Sequence, residues 1–308
     1  MKKDLTSITD LAKEEIFSLL DEAERLKVQI KKEKVLGCAA GKMGVLVFEK
    51  PSLRTRVTFE RALHQLGGTS SYLSPTDIGL GTRESVPDVA RNLSRWVDVI
   101  IARVFEHEKI TALAQAATIP VINALSDLEH PCQILADLLT MRQHFHEWEG
   151  VTVAWIGDGN NVCHSLLLAA AIVGFNLNVA TPKGFEPNSE VTAKSREYAA
   201  QSGAQINFTS DPGAAVADAD FIYTDVWASM GQEEAAEQRR QIFRPFQVNR
   251  VLLSKAKETA KVMHCLPAHR GEEITDDVLD GPQAIVYDQA ENRLHIQRAI
   301  LVRLLRDG

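Results

Sequence analysis

Residues 45–56 read Val-Leu-Val-Phe-Glu-Lys-Pro-Ser-Leu-Arg-Thr-Arg. Val45 to Phe48 is a short apolar run of strand formers, and the pattern beyond it is helical as far as Leu66, where Gly67-Gly68 ends it. Ser52, Arg54 and Thr55 therefore stand at a helix amino terminus, where unpaired N–H groups and the helix dipole already favour an anion. A guanidinium and two hydroxyls added there make a phosphate cradle. Read alone, the same residues also suit a Ser-capped helix with solvated arginines.

The alternation of strand and helix continues on both sides of this segment. Thr9 or Asp10 is placed to cap a first helix, in which Ile16, Leu19, Leu20, Ala23 and Leu26 recur at helical spacing. Strands are read at Val99 to Val104 and Val121 to Leu125, and a helix from near His130 to about residue 146. Gly150 opens a second set of strands at residues 151–156, 177–180, 221–224, 262–266 and 284–287. This is an α/β chain of two domains, each a mainly parallel sheet flanked by helices. The boundary falls between about residues 140 and 150, giving a first domain over 1–145 and a second over 150–287. The C-terminal helix, 290–308, is expected to pack back on the first domain. In open parallel sheets ligands collect beyond the carboxyl ends of the strands, so residues just after each strand are the candidates for chemistry.

Bulk properties agree with two cores and narrow the function. The 308 residues are 45% apolar, enough for two domains of ordinary size. A net charge of -7 without clustered Lys or Arg leaves no footprint for nucleic acid. No run approaches the roughly 18 apolar residues that span a bilayer, and Met1-Lys2-Lys3-Asp4 leads into a polar helix start without a secretion signal. Cys38, Cys132, Cys163 and Cys265 form neither a Cys-x-x-Cys pair nor a zinc-type cluster. The expectation is a soluble cytoplasmic protein with reduced thiols, no metal and no cofactor.

Several further landmarks stand in order: Leu80-Gly-Thr-Arg-Glu-Ser85, Ala102-Arg103, His130-Pro-Cys-Gln133, Asp158-Gly-Asn-Asn161, Asp225-Val-Trp-Ala-Ser-Met-Gly231, His264-Cys-Leu-Pro267 and Glu291-Asn-Arg293. Together with Ser52-Leu-Arg-Thr55, which resembles a Ser-Thr-Arg-Thr phosphate motif with Leu53 in place of the first Thr, they resemble the aspartate and ornithine carbamoyltransferase family over essentially the whole chain.

The resemblance implies transfer of a carbamoyl group from carbamoyl phosphate to an amine. As the amine attacks, negative charge grows on the carbonyl oxygen while phosphate departs, and each well-placed donor there is worth roughly 2.7 to 4 kcal/mol. Arg103, at a strand end, and His130, at a helix start, are the candidate donors, with Thr55 as a third. The resemblance further implies that Ser52, Leu53, Arg54 and Thr55 hold the phosphate. Gln133 and the main-chain carbonyls of Cys265 and Leu266 would accept from the carbamoyl NH2, and Arg293 would help hold the substrate.

Between Phe221 and Glu234 the sequence offers Asp225, Ser229 and Met230 but no Lys or Arg, which argues against an acceptor carrying an extra carboxylate. An acidic residue suits a ligand ammonium, and the Ser-Met-Gly loop and the Cys of His-Cys-Leu-Pro look like the ornithine branch of the family. On that branch Asp225, Ser229 and Met230 would handle the α-amino end of ornithine, Asn161 its carboxylate, and Cys265 the reacting amine. That amine resembles a Lys side chain, and holding it neutral at pH 7 costs about 4.6 kcal/mol. The catalytic set is therefore Arg103, His130 and Cys265.

Rival readings meet specific obstacles. Gly157-Asp-Gly159 partly matches a dinucleotide fingerprint, but Val162 occupies the third glycine position and Val179-Ala-Thr-Pro182 brings no ribose-binding acid. A non-catalytic paralogous binding subunit would be expected to lose Arg54, Arg103, His130 or Cys265, and none is missing. Putrescine lacks a carboxylate for Asn161, and acetylornithine lacks the ammonium that Asp225 would pair. One departure concerns Gly79, where many family members place a Gln or His that reaches a neighbouring subunit's site; Thr82 or Arg83 is left to take that part. The resemblance implies a homo-oligomer, a trimer or a multiple of trimers.

Overall fold

A computed structural model describes residues 4–145, 147–227 and 236–306. The chain divides into two compact units, Met1–Leu139 with Glu291–Gly308, and Thr140–Ala290. Each contains one wholly parallel sheet, as the alternating pattern predicts.

The first unit orders its strands β2-β1-β3-β4, with β1 at Met43–Phe48, β2 at Thr69–Leu73, β3 at Val99–Arg103 and β4 at Val121–Leu125. β1 is buried along almost its whole length, as expected of a strand covered on both faces. On one face Val45, Val47, Ile100 and Ala102 pack with Val89 and Leu93 of helix Val86–Trp96 and with Ile110 and Leu113 of helix His107–Ala116. Each fully buried aliphatic side chain of this kind contributes about 1.5–3 kcal/mol. The strand order reverses between β1 and β3, so the loops after these two strands diverge and leave a crevice at their carboxyl ends.

The second unit orders its strands β7-β6-β5-β8-β9, with β5 at Thr152–Ile156, β6 at Asn176–Ala180, β7 at Ile206–Thr209, β8 at Phe221–Thr224 and β9 at Lys261–His264. Here the reversal lies between β5 and β8. Helix Asn161–Val173, apolar on all sides, is buried from Val162 onward. Ile156, Ile222 and Val262 pack with Val216, Ile274 and Val278 in this unit's core.

Four local expectations need correction. The first helix is Lys13–Glu33 and starts after Ala12, whose N–H is taken by Glu15 Oε2 at 3.0 Å. Asp10 does not cap it, because its carboxylate instead receives Thr6 N at 2.7 Å and Ser7 N at 3.0 Å and closes a short 3-10 turn, Ile8–Asp10. The edge strands β2 and β7 escaped the sequence reading, since partly exposed edges need no continuous apolar run. Residues 284–287 are not a strand: Ala284 makes a single bridge to Val262, and Val286 already opens the last helix, Val286–Arg306. So short an apolar run does not by itself distinguish a strand from a helix start. The helix read to about residue 146 ends at Arg142, and residue 146 itself lies outside the described residues.

From Glu291 onward the last helix belongs to the first unit. There Arg303 pairs with Glu15, and Lys27 with Glu291 at 3.1 Å. The expected return of this helix to the first domain is therefore observed.

Candidate active site

In the first unit the loop after β1 carries Glu49 to Ser52, and helix Leu53–Gln65 starts directly beyond it. Ser52 caps that helix, its Oγ accepting from Thr55 N at 3.3 Å. Leu53 points outward at 75% exposure, so only its main-chain N–H, one of the unpaired groups of the first turn, is suited to an anion. Thr55 is buried at 1% exposure. Arg103 ends β3 in register with Phe48, which brings it beside the start of the same loop. The two strand ends are tied by Glu49 N donating to Arg103 O at 2.8 Å.

Arg293 comes from far along the chain to the same place. Its Nη1 donates to Gln133 Oε1 at 2.5 Å and its Nη2 to Thr55 Oγ1 at 3.1 Å. Gln133 Nε2 donates to Asp137 Oδ1 at 2.9 Å. A cation on one side and a carboxylate on the other fix which end of the Gln133 amide is oxygen. Arg293, Gln133 and His130 are at most 5% exposed. Burial, reinforced by the Arg293, Arg103 and Arg54 guanidiniums, holds the His130 imidazole well below its ordinary pKa, so it is neutral at pH 7. Lys50, over the Phe105 ring at 4.2 Å, is lowered too, first by burial and then by Arg103. Three guanidiniums around a neutral donor form a pocket of positive potential suited to a small dianion.

In the second unit Asp225 follows β8, Cys265 follows β9, and Asn160 ends the loop after β5. Asp225 is 8% exposed and accepts from Cys265 Sγ at 2.8 Å and from Asn160 Nδ2 at 2.8 Å. Asn160 Oδ1 meanwhile caps helix Asn161–Val173, accepting from Val162 N at 3.0 Å and Cys163 N at 3.1 Å. His264 Nδ1 accepts from Leu266 N at 2.8 Å, which puts the ring proton on Nε2, facing Glu273 Oε1 at 3.0 Å. This bond fixes Leu266 in a left-handed conformation, φ +56°, rare for a branched residue. Acceptor atoms of Asp225, His264 and Cys265 lie within 4.8 Å of one another, but both His264 nitrogens are already engaged.

The comparisons with known proteins agree with both halves of this description. Residues 3–143 match the profile "Aspartate/ornithine carbamoyltransferase, carbamoyl-P binding domain" and residues 149–304 match "Aspartate/ornithine carbamoyltransferase, Asp/Orn binding domain". The chain belongs to the aspartate/ornithine carbamoyltransferase family. Among curated relatives, the ornithine carbamoyltransferase of Pyrococcus horikoshii is 51% identical over 303 residues, 98% of this chain and 96% of that one. The anabolic ornithine carbamoyltransferase of Pyrococcus furiosus is 50% identical over the same shares. The solved Pyrococcus furiosus structure has a TM-score of 0.96 at 50% identity, covering 100% of this chain and 98% of that chain. That from Thermus thermophilus has a TM-score of 0.88 at 46% identity, covering 99% of each.

For this family member the structure groups Thr55, Gln133 and Arg293 by hydrogen bonds, sets His130 among Arg54, Arg103 and Arg293, and pairs Asp225 with Cys265. Ser229 and Met230 lie outside the described residues. Asn161 is the first residue of its helix; it is Asn160 that reaches Asp225, a contact the sequence signalled only through the preference of Asn for helix caps. Asp158 was also missed: burial pushes its carboxyl up to about 6, against the pull of Arg239 at 2.5 Å, and Asp225 adds to the rise. Arg239 also donates to Trp227 O at 2.5 Å.

The partial dinucleotide pattern has a packing explanation. A Cβ on Gly159 would sit 2.3 Å from Pro187 N and 2.5 Å from Glu186 C, so the glycine lets two loops approach. Gly79 closes the short helix Pro75–Ile78 at φ +52°, where Thr82 Oγ1 donates to its carbonyl at 2.9 Å. No helix of the described residues is long and apolar enough to cross a membrane.

Proposed function

We propose that this chain transfers the carbamoyl group of carbamoyl phosphate to the side-chain amine of L-ornithine, giving L-citrulline and phosphate, a step of arginine biosynthesis. The observation that carries the choice of acceptor is Asp225, a nearly buried carboxylate with a thiol and an amide donating to it, placed after β8, which adjoins the central strand β5. It suits a ligand ammonium, and the curated relatives at about half identity bear the ornithine name.

In the proposed mechanism the helix start at Ser52 to Thr55, with Arg54 and Arg103, holds the phosphate oxygens. His130, neutral at pH 7, donates with Arg103 and Thr55 to the carbonyl oxygen as the amine attacks and charge builds there. Gln133 keeps one lone pair of Oε1 beyond its bond from Arg293, and with the Cys265 and Leu266 carbonyls it accepts from the carbamoyl NH2. The C–N bond forms, the C–O bond to phosphate breaks, and the departing phosphate takes the amine proton. Asp225 orients the α-amino group, Asn161 the carboxylate, and Cys265 lies by the reacting amine; Ser229 and Met230 complete the ornithine site. Most of the acceleration comes from positioning, for which effective molarity supplies roughly 7 to 11 kcal/mol.

The proposal extends to a cytoplasmic homotrimer or a multiple of one, supported by the family resemblance and by four cysteines of which none forms a disulfide. The direct test compares initial rates of phosphate release from carbamoyl phosphate with ornithine, putrescine, acetylornithine and aspartate. Ornithine is expected to be fastest by at least tenfold, and a faster rate with any of the others rejects the reading. Sedimentation tests the assembly, with a monomer or dimer as the contrary result.

A further inference from the structure

Residues 4–10 run beside β4 and continue into the turn that presents His130. Val121 N donates to Asp4 Oδ1 at 2.8 Å, Leu5 N to Val121 O at 2.9 Å, and Asn123 N to Leu5 O at 2.7 Å. The segment thus adds a short parallel bridge next to β4, while Leu5 and Ile8 enter the core. Beyond the bridge, Ser7 Oγ donates to Glu129 Oε1 at 2.5 Å and Ile8 N to Glu129 Oε2 at 3.0 Å.

Glu129 is 3% exposed, and a carboxylate removed from water costs several kcal/mol unless its oxygens are paired. The N-terminal segment supplies a donor to each oxygen. The main chain of Glu129 is gripped as well: its N–H donates to Ser126 Oγ at 3.2 Å, and its carbonyl accepts from Ser126 N at 2.9 Å. Ser126 Oγ lies 2.8 Å from His107 Nδ1 and receives Asn123 Nδ2 at 3.4 Å, so the turn is tied to β4 and to the helix His107–Ala116. The next residue in the chain is His130, whose carbonyl receives Gln133 N at 3.0 Å as helix Pro131–Arg142 begins. Glu129 and His130 share a peptide unit, so a shift of the Glu129 main chain moves the main chain of His130 with it.

We propose that Glu129 is a positioning residue for His130, held by the chain's own N-terminal segment through Ser7 and Ile8. The proposal rests on His130 donating to the carbamoyl oxygen, and it gives residues 4–10 a part in turnover although none of them is placed at the substrate. A donor to a developing oxyanion is sensitive to place, and displacement by about 1 Å can cost on the order of a hundredfold in rate.

The test uses the full chain with Ser7→Ala, Ser7→Thr, Glu129→Gln and the Ser7→Ala/Glu129→Gln double variant. Glu129→Gln keeps the shape but leaves one oxygen for two donors. With ornithine saturating, kcat/KM for carbamoyl phosphate is expected to fall roughly 10- to 100-fold in both single variants. KM for ornithine should be unchanged, Ser7→Thr should restore the rate, and the double variant should be no worse than Glu129→Gln alone. Thermal unfolding measured alongside separates this from loss of fold, because Ser7→Ala is expected to lose rate while unfolded fractions at the assay temperature stay negligible. The His130 imidazole resonance, assigned with His130→Asn, should shift in Ser7→Ala and Glu129→Gln and return in Ser7→Thr. Wild-type rates in both single variants, or losses that multiply in the double, overturn the proposal. So does an unmoved His130 resonance, whatever the wild-type activity. Absence of citrulline formation by the wild type with shifted His130 resonances would instead count against the reading of function.

Discussion

Asp225→Asn keeps the outline of the side chain and removes its charge, and the cost is set by the groups around it. Asp225 receives one donor on each oxygen, Cys265 Sγ and Asn160 Nδ2, both at 2.8 Å. An amide has one oxygen, so it can satisfy only one of them, and its own NH2 then faces the other. Keeping Asn160 leaves the NH2 against a thiol, a weak acceptor; keeping the thiol sets two NH2 groups against each other. Either way one hydrogen bond is lost, a net cost of about 0.5–1.5 kcal/mol. A bound ammonium further loses its charged acceptor at a nearly buried position, where breaking a pair costs about 3–5 kcal/mol. At 1.36 kcal/mol per decade the sum, about 3.5–6.5 kcal/mol, is roughly a 400- to 60,000-fold fall in kcat/KM for ornithine. The assay is initial citrulline formation at saturating carbamoyl phosphate, with urea unfolding to confirm that the variant is folded. A loss below tenfold in a folded variant, or an equal loss in the binding of carbamoyl phosphate alone, would refute the assignment of Asp225 to the acceptor.

Three other outcomes are expected. Burial lowers His295 to about 4, so between pH 6.5 and 4 the unfolded chain takes up a proton that the folded chain refuses. The stability present above pH 6.5 is therefore lost as pH falls, by about 3 kcal/mol from this group; urea midpoints at pH 7, 5.5 and 4.5 should show it, and His295→Gln should flatten part of the slope. Gly159→Ala places a methyl on backbone 2.3 Å away and should destabilise by roughly 3 kcal/mol or more, read as a lower Tm; an unchanged Tm would contradict the packing described. Burial pushes the Cys132 thiol up to about 12 and Cys163 well above its usual value, and both are fully buried. A thiol reagent at pH 7.5 should therefore label the native chain at no more than Cys38 and Cys265, counted by mass spectrometry of digests, and ornithine with phosphate should slow labelling of Cys265.

The amino-acid sequence by itself determined the architecture, because parallel strands buried on both faces must be apolar throughout and the helices between them must carry one apolar stripe. Val45 to Phe48 and Phe221 to Thr224 could be read as strands for that reason, and Ser52 to Thr55 as a helix start, whose free N–H groups suit an anion as a local property of any first turn. The edge strands β2 and β7 could not be read, since they bury too little to need an apolar run. Only tertiary structure joined Arg293 to Gln133 and to Thr55, 160 and 238 residues away along the chain, and brought Asn160 to Asp225. Spacing along one helix or strand is written in sequence because the backbone repeats it. Which side chains meet across a sheet's carboxyl edge depends on strand order, and strand order is set by the packing of the whole unit.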